Sequence, residues 1–252
     1  MGHHIPGRTI SPEQFDAVLF DLDGVLTATA RIHATCWKKM FDSFLQKRAE
    51  ERGEPFEAFD IDRDYRQYVD GKLRYDGVRS FLESRGIHLP EGDPTEPQSY
   101  ESITGLGNMK DRMVKEALDS GGVEVYEGSV AFLRELRRQR FKTAVVSASR
   151  NCRAVLKAAG IEDLFDARVD GEVASRLNLR GKPAPDTFLE AAKQLGCDPR
   201  RSVVVEDAIS GVQAGRDGGF GLVVGVDRKG DRKALEDNGA DIVVEDLSEL
   251  AV

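Results

Sequence analysis

The feature that most constrains the fold is a short apolar run, Ala17–Phe20, that ends directly at two aspartates, Asp21 and Asp23. Its branched and aromatic side chains predict a strand of a parallel sheet that is buried on both faces. Ligands bind beyond the carboxyl ends of such strands, so the two carboxylates indicate a site there. Gly24 permits a bend directly after them. The alternative is that Asp23 only forms the turn after a strand.

Strand and helix patterns alternate in the second half of the chain, from about residue 121 onward. Apolar runs predict strands at 143–146, 202–205 and 221–226, and shorter strands at 165–169 and 242–244. Amphipathic segments predict helices at 130–140, 152–159, 186–195 and 209–216. This alternation is typical of parallel strands joined by right-handed crossovers. The predicted fold class is therefore α/β, with a Rossmann-like parallel sheet as its core.

Residues 32–120 interrupt this core with a block that has no convincing strand pattern. A long helix is predicted at about 30–52, capped by Thr29, with further helical segments near 62–70, 75–85 and 107–119. We predict an inserted α-helical cap, with core parts at 1–31 and 121–252. An insertion after the first strand stands over the carboxyl ends of the strands, where it could act as a lid. Residues 1–14 are interpreted as a loose leader.

Composition excludes several classes of partner. The chain has 252 residues, 40% of them hydrophobic and 32% charged, which is typical of a soluble globular protein. A net charge of −8 argues against nucleic acid or anionic membranes as partners, and no apolar run approaches the roughly 20 residues of a membrane span. Three widely spaced cysteines fit thiols of a reducing cytoplasm. We expect a cytoplasmic monomer.

Polar residues of distinct types follow three of the predicted strands, and a Pro-stiffened loop adds a lysine. Taken singly, each has an ordinary explanation as a turn, a helix cap or a solvated loop residue. Together they provide carboxylates for a hard cation, hydroxyl groups for an oxyanion and one fixed positive charge, as phosphoryl transfer requires. The residues are Asp21 and Asp23, Ser147 and Ser149, Lys182, and Glu206 with Asp207.

In this order, the residues resemble the motifs of the haloacid dehalogenase (HAD) superfamily over essentially the whole core. The resemblance implies that Asp21 is the nucleophile that forms an aspartyl phosphate and that Asp23 is the general acid and base. It implies that Ser147 binds the transferring phosphoryl group and that Lys182 neutralises it. It also implies a Mg²⁺ cofactor held by Asp21, the main-chain carbonyl of Asp23, Glu206 and Asp207. Dehalogenases of this superfamily lack the second aspartate, so its presence here disfavours dehalogenation.

A closer similarity is to the β-phosphoglucomutase branch of that superfamily. It rests on the stretches 20–29, 147–151, 181–186 and 206–211, and on a short segment, 71–76, that is similar to the cap loop of that branch. The similarity implies that His33 couples substrate binding to lid closure, with a first-turn surface histidine as the alternative. It also implies that Arg74 grips a distal phosphate, with a solvated helix-start arginine as the alternative. It also places a set of residues near substrate phosphate or sugar: Thr29, Ser147, Ala148, Ser149, Arg150 and Asn151.

The expected activity is the interconversion of β-glucose 1-phosphate and glucose 6-phosphate, with a phosphorylated sugar as the substrate. The alternative in the same superfamily is a sugar-phosphate phosphatase, in which water takes the phosphoryl group. A non-catalytic phosphosugar-binding module would fit a chain that had lost Asp21 or Asp23, and both are present. One departure from the family pattern concerns the hinge, because Ala28 stands where the family usually has Asp. The predicted cap is also longer than usual.

Overall fold

The computed structural model describes residues 9–252 and confirms an α/β fold built on one parallel sheet. Its six strands are β1 (Ala17–Phe20), β2 (Lys142–Val146), β3 (Ala167–Val169), β4 (Ser202–Glu206), β5 (Leu222–Val226) and β6 (Ile242–Val244). The strand order is β3-β2-β1-β4-β5-β6. The order therefore reverses between β1 and β4, which is the point where open α/β sheets bind their ligands.

Nine α-helices occur in the described residues. They are α1 (Ala30–Arg52), α2 (Arg74–Ser84), α3 (Ile103–Gly121), α4 (Glu127–Arg138), α5 (Cys152–Ala158), α6 (Gly171–Leu177), α7 (Asp186–Leu195), α8 (Ile209–Asp217) and α9 (Arg232–Asp237). Contacts divide the chain into two units, which we call the helical unit (Thr29–Gly122) and the core unit (through Ala28 and from Val123). No helix among residues 9–252 is both long and apolar enough to cross a membrane.

The central strand β1 is buried along its whole length, as its apolar sequence predicts. Phe20 makes edge-to-face contacts with Phe132 of α4 and with Phe165, at centroid distances of 6.5 and 6.4 Å. Fully burying a phenylalanine contributes about 1.5–3 kcal/mol relative to leaving it exposed. Helix packing on this strand therefore gives the residues that follow Phe20 a rigid base.

Several predicted elements differ from the observed ones. Helices α6 and α9 were not predicted, because each is too short to show a clear amphipathic period. The leader interpretation is wrong for the residues that the structure describes in this region. Thr9 bridges to Ala251, and Ile10 is buried and donates a backbone hydrogen bond to the Ala251 carbonyl at 2.9 Å. The partner lies at the far end of the sequence, so no local pattern indicates it. Residues 1–8 lie outside the described part.

The helical unit has an aromatic core of its own. Phe41 lies 5.3 Å from Trp37, 5.1 Å from Phe59 and 4.2 Å from Phe81, measured between ring centroids. The helix predicted at 62–70 is a π-helix, Ile61–Val69, in which hydrogen bonds span five residues. The described cysteines are free thiols, as expected.

Candidate active site

Three carboxylates meet beyond the carboxyl ends of β1 and β4. Ligand oxygens of Asp21, Glu206 and Asp207 all lie within 4.8 Å of one another, and the three side chains are buried. The backbone N–H of Asp21 donates to the Val205 carbonyl at 2.9 Å, which extends the pairing of the two strands by one residue. Adjacent parallel strands therefore bring together acids that are far apart in the sequence.

Gly24 is required where the chain passes Asp207. Its φ is +96°, a region that favours glycine, and a Cβ at this position would lie 2.2 Å from Asp207 Oδ2. A larger residue would displace the carboxylate from the site. The predicted bend after the aspartates is thereby confirmed, and its role is to admit the Asp207 side chain.

Lys182 is the centre of the buried charge network. Its Nζ donates to Asp21 Oδ1 at 2.6 Å, to Glu206 Oε1, and to the Val146 carbonyl at 3.3 Å. The other carboxylate oxygen of Glu206 accepts from the backbone N–H groups of Asp207 and Ala208 at 3.0 and 3.1 Å. An ammonium group has three protons, so Lys182 is fully hydrogen-bonded and cannot swing away without leaving buried carboxylates unsatisfied.

The pKa values reflect this crowding of acids. Burial raises the pKa of Asp21 to about 7, with Asp23 and Asp207 adding to the rise and Lys182 opposing it. Burial likewise raises the pKa of Glu206 to about 7, against the effect of Lys182. Burial lowers the pKa of Lys182, but the carboxylates of Asp21 and Glu206 outweigh it, and the net direction is upward. One buried cation is thus insufficient to neutralise the cluster.

This donor set fits a divalent cation. Carboxylate oxygens are the ligands that Mg²⁺ prefers, and a second positive charge would relieve the repulsion that raises the pKa of Asp21. The side chains that would hold it are those of Asp21, Glu206 and Asp207. The carboxylate of Asp23 lies outside this group of three.

Asp23 instead contacts the loop that follows β2. Ser147 Oγ donates to Asp23 Oδ2 at 3.2 Å and accepts from the backbone N–H of Ser149 at 3.1 Å. Ser149 Oγ in turn accepts from the backbone N–H of Asn151 at 3.1 Å. Asp21 therefore belongs to a lysine-bound cluster, whereas Asp23 accepts a hydrogen bond from a serine hydroxyl of the loop after β2. The two aspartates have different surroundings although one residue separates them.

The remaining predicted residues of this loop, Ala148 and Arg150, lie against helix α6. A Cβ on Gly171 would come within 2.7 Å of the Ala148 carbonyl and 3.1 Å of the Arg150 nitrogen. The Arg150 guanidinium donates to Ser175 Oγ at 3.4 Å. The structure therefore brings Asp21, Asp23, Lys182, Glu206, Asp207 and the loop 147–151 together at one end of the sheet.

The predicted residues Thr29, His33 and Arg74 belong to the helical unit. Thr29 occupies the N-cap position of α1, but the predicted capping hydrogen bond of its side chain is absent, because its backbone has helical angles (φ −69°, ψ −15°). Capping by a side chain normally requires an extended backbone. His33 is buried, and its Nδ1 lies 2.7 Å from Lys110 Nζ. Since an ammonium group only donates, the imidazole nitrogen is the acceptor.

Arg74 begins α2 and is bound within its own unit. Its NH1 lies 2.8 Å from Asp111 Oδ1 of α3, and its side chain is 11% exposed. NH2 also lies 3.3 Å from the Tyr75 hydroxyl. Arg74 is therefore not the solvated helix-start arginine of the alternative interpretation.

Two lysines near the predicted residues were missed by sequence reasoning. Lys110 stands between the buried Leu106 and Val114 at four-residue spacing on α3, so a charge on an apolar helix face was the available signal. Lys229 follows β5, and its Nζ lies 3.3 Å from Asp207 Oδ2. The rule that polar residues after a strand mark a site would have found Lys229 as well.

Comparisons with known proteins agree with this geometry. A family model described as haloacid dehalogenase-like hydrolase matches residues 15–219. A Mycobacterium tuberculosis protein described as beta-phosphoglucomutase is 49% identical over 242 residues, which cover 95% of this chain and 92% of that protein. The corresponding Bacillus subtilis protein, also described as beta-phosphoglucomutase, is 32% identical over 236 residues, with 94% and 92% covered.

A solved structure provides a further comparison. The crystal structure of beta-phosphoglucomutase from Clostridium difficile matches with a TM-score of 0.72 and 26% sequence identity, covering 94% of this chain and 93% of that one. The similarity thus extends across both units and is not confined to the motifs.

Proposed function

The chain belongs to the haloacid dehalogenase-like hydrolases, and from this family and its site we propose that it transfers phosphoryl groups through an aspartyl phosphate on Asp21. The observation that carries the proposal is the buried contact of Lys182 with Asp21, beside Glu206 and Asp207. A carboxylate between a fixed cation and a cation-binding cluster is suited to attack an anionic phosphoryl group, because the positive charges offset the repulsion.

In the proposed reaction, an Asp21 carboxylate oxygen forms a bond to phosphorus as the bond from phosphorus to the substrate oxygen breaks. Asp23 gives its proton to that leaving oxygen. In the second half, Asp23 takes a proton from the acceptor hydroxyl, whose oxygen attacks phosphorus and releases the Asp21 carboxylate. The hydrogen bond from Ser147 holds Asp23 in place for both proton transfers.

Mg²⁺ is the proposed cofactor. The side chains of Asp21, Asp207 and Glu206, with the main-chain carbonyl of Asp23, would hold it, and when bound it would withdraw charge from the phosphoryl oxygens. Lys182 neutralises the nucleophile through its contact with Asp21 Oδ1. The N–H and hydroxyl groups of the loop 147–151, including Ala148, Ser149, Arg150 and Asn151, are proposed to bind substrate phosphate and orient it.

The proposed substrate is a hexose phosphate, and the proposed reaction moves phosphate between the C1 and C6 oxygens. Relatives of 49% and 32% identity described as beta-phosphoglucomutase support this choice. We propose that the segment 32–120 acts as the cap, with Thr29 just before it and with His33 and Arg74 contacting the sugar phosphate. A sugar-phosphate phosphatase would use the same core residues with water as the acceptor.

Product analysis separates these two reactions. The protein is incubated with β-glucose 1-phosphate, Mg²⁺ and a trace of β-glucose 1,6-bisphosphate, and phosphorus NMR follows the products. We expect glucose 6-phosphate to accumulate. Inorganic phosphate in its place would favour the phosphatase, and an unchanged spectrum with this substrate would contradict the proposed sugar.

Arg74→Ala should impair hexose phosphates far more than a small aryl phosphate. A charge-assisted hydrogen bond contributes about 1.5–3 kcal/mol, so kcat/KM for β-glucose 1-phosphate should fall about 10- to 100-fold. An aryl phosphate carries only the phosphate that reacts, so it makes no contact with Arg74 that the substitution could remove. Arg74 carries further N–H donors besides the one that contacts Asp111, which leaves it able to bind an anion. Both substrates are measured by steady-state kinetics.

The matched control is Arg79→Ala on the same helix. Arg79 forms ion pairs of 2.7 Å with Asp76 and with Glu91, and its side chain is 39% exposed. Arg79→Ala removes the same charge and also breaks ion pairs. Because Arg79 is not proposed to bind substrate, the kinetics of this variant should stay close to wild type. If Arg74→Ala lowered kcat/KM equally for both substrates, the distal-phosphate role would be refuted.

A further inference from the structure

Arg228 is a largely buried arginine whose guanidinium joins separate segments of the core unit. It lies two residues beyond β5, and its side chain is 15% exposed. The guanidinium group lies over the Tyr126 ring, with its central carbon 3.7 Å from the ring centroid. Its nitrogens donate to the carbonyls of Gly24 (3.1 Å) and Glu245 (2.8 Å), to Asp246 Oδ2 (3.3 Å) and to Ser129 Oγ (3.2 Å).

The loop that carries Arg228 is itself rigidly built. The carboxylate of Asp227 accepts backbone hydrogen bonds from Lys229, Asp231 and Arg232 at 2.7–3.2 Å. The N–H of Asp227 donates to the Val244 carbonyl at 2.7 Å. The guanidinium is therefore held in one orientation by its backbone, by Tyr126 and by its hydrogen-bond acceptors. In this orientation Nε donates to the Gly24 carbonyl.

The contact with Gly24 matters because of what surrounds this glycine. Asp23 immediately precedes it, and the Asp207 carboxylate occupies the space of its missing side chain. Glycine has more backbone freedom than any other residue, and here its own loop restrains only one side of it, through the hydrogen bond from the Gly24 N–H to the Thr27 carbonyl at 2.8 Å. Arg228 supplies a side-chain hydrogen bond to the Gly24 carbonyl, while Ser147 holds the Asp23 carboxylate.

We propose that Arg228 is a positioning residue, which fixes the Gly24 carbonyl and thereby the direction in which Asp23 presents its carboxylate. The inference rests on the proposed function, in which Asp23 moves the proton. Lysine cannot replace Arg228, because an ammonium group is a point donor and lacks the planar fork that stacks on Tyr126 and reaches several acceptors at once.

The test compares two leaving groups. Phenolate is a poor leaving group that benefits from a proton, whereas 2,4-dinitrophenolate leaves without one, so a misdirected Asp23 affects them unequally. Rapid-quench measurements follow the formation of phosphorylated protein from phenyl phosphate and from 2,4-dinitrophenyl phosphate, with Mg²⁺ present. For Arg228→Lys we expect about a tenfold slower reaction with phenyl phosphate and little change with the dinitrophenyl ester.

One reference variant, Asp23→Asn, separates this inference from the proposed function. Asp23→Asn should slow phosphorylation of the protein by phenyl phosphate about 10²- to 10⁴-fold, with a much smaller effect on phosphorylation by the dinitrophenyl ester. If Asp23→Asn slowed both esters equally, the proposed role of Asp23 would fail. If Asp23→Asn were selective but Arg228→Lys were not, only the positioning role of Arg228 would be overturned.

Arg232→Lys is the structural control, because Arg232 begins α9 directly after the same loop and donates to the Val243 carbonyl at 2.7 Å. It should leave both rates at wild-type values. Should Arg228→Lys fail to fold, Asp246→Asn weakens the hold on the guanidinium while keeping an oxygen to cap Ser248. Asp246→Asn should also slow the reaction with phenyl phosphate more than that with the dinitrophenyl ester, by a smaller factor than Arg228→Lys. If it slowed neither ester, or both equally, the result would count against the proposal.

Discussion

Asp21→Asn should lower kcat by on the order of 10³-fold or more, as is typical when the nucleophile of a covalent mechanism is removed. An amide cannot attack phosphorus as a carboxylate does, and Asp21 is the acid that lies 2.6 Å from Lys182. Phosphorylated protein should also be lost. Intact-protein mass spectrometry after brief incubation with 2,4-dinitrophenyl phosphate and acid quenching detects it directly.

The matched control for Asp21→Asn is Asp16→Asn. Asp16 immediately precedes β1, at the end opposite to Asp21, and pairs with Arg201 at 2.8 Å. The same chemical change at that end should leave kcat and the phosphorylated species near wild type. Turnover by Asp21→Asn within a factor of about ten of wild type would refute the nucleophile assignment.

Lys182→Met should reduce both turnover and stability. Removing one partner of a buried charge network costs about 3 kcal/mol or more, because the remaining carboxylates keep their desolvation cost. For a chain of this size, the melting temperature should fall by roughly 6–12 °C. Turnover should fall by about 10²-fold or more, since a fixed charge at the phosphoryl group is lost. Melting is followed by circular dichroism in EDTA, so that no cation replaces the lysine.

The loss of stability in Lys182→Met should depend on pH in a defined direction. The pKa values of Asp21 and Glu206 are already raised to about 7, and removing Lys182 raises them further. A carboxylic acid with a raised pKa in the folded state loses stability as pH rises through that value. The fall in melting temperature should therefore be larger at pH 8 than at pH 5, where both acids can hold a proton.

Lys142→Met is the control for this pH effect. Lys142 is the first residue of β2, and its Nζ donates to the Leu195 carbonyl at 2.7 Å; it has no buried carboxylate partner among residues 9–252. It removes the same charge, and any loss of stability should be equal at pH 5 and pH 8. A Lys182→Met loss that was likewise the same at both pH values would show that Lys182 does not hold Asp21 and Glu206 ionised.

The sequence predicted the sheet and the core of the site because both depend on local patterns. Apolar runs of four or five residues form β1, β2 and β4, and the polar residues that follow them lie at one end of a parallel sheet. This rule was sufficient to select Asp21, Ser147 and Glu206. The order of the motifs and the family match agree with it.

Three of the residues that sequence reasoning missed have distant partners. Ile10 pairs with a segment near the C-terminus, and Lys110 contacts His33 across 77 residues of sequence. Arg228 reaches Gly24 across 204 residues. Each contact depends on which elements pack together, and local propensity carries no information about a partner so distant.

By itself, the sequence determined a parallel α/β core, an inserted helical segment and a set of acids and hydroxyl groups suited to phosphoryl transfer. Strand propensity and turn chemistry are properties of a few neighbouring residues, so they can be predicted without knowing the tertiary structure. Only the tertiary structure decided that Asp21 lies with Lys182 and Asp23 with Ser147. Their different surroundings depend on burial and on contacts across 161 and 124 residues, which form only when the strands pair.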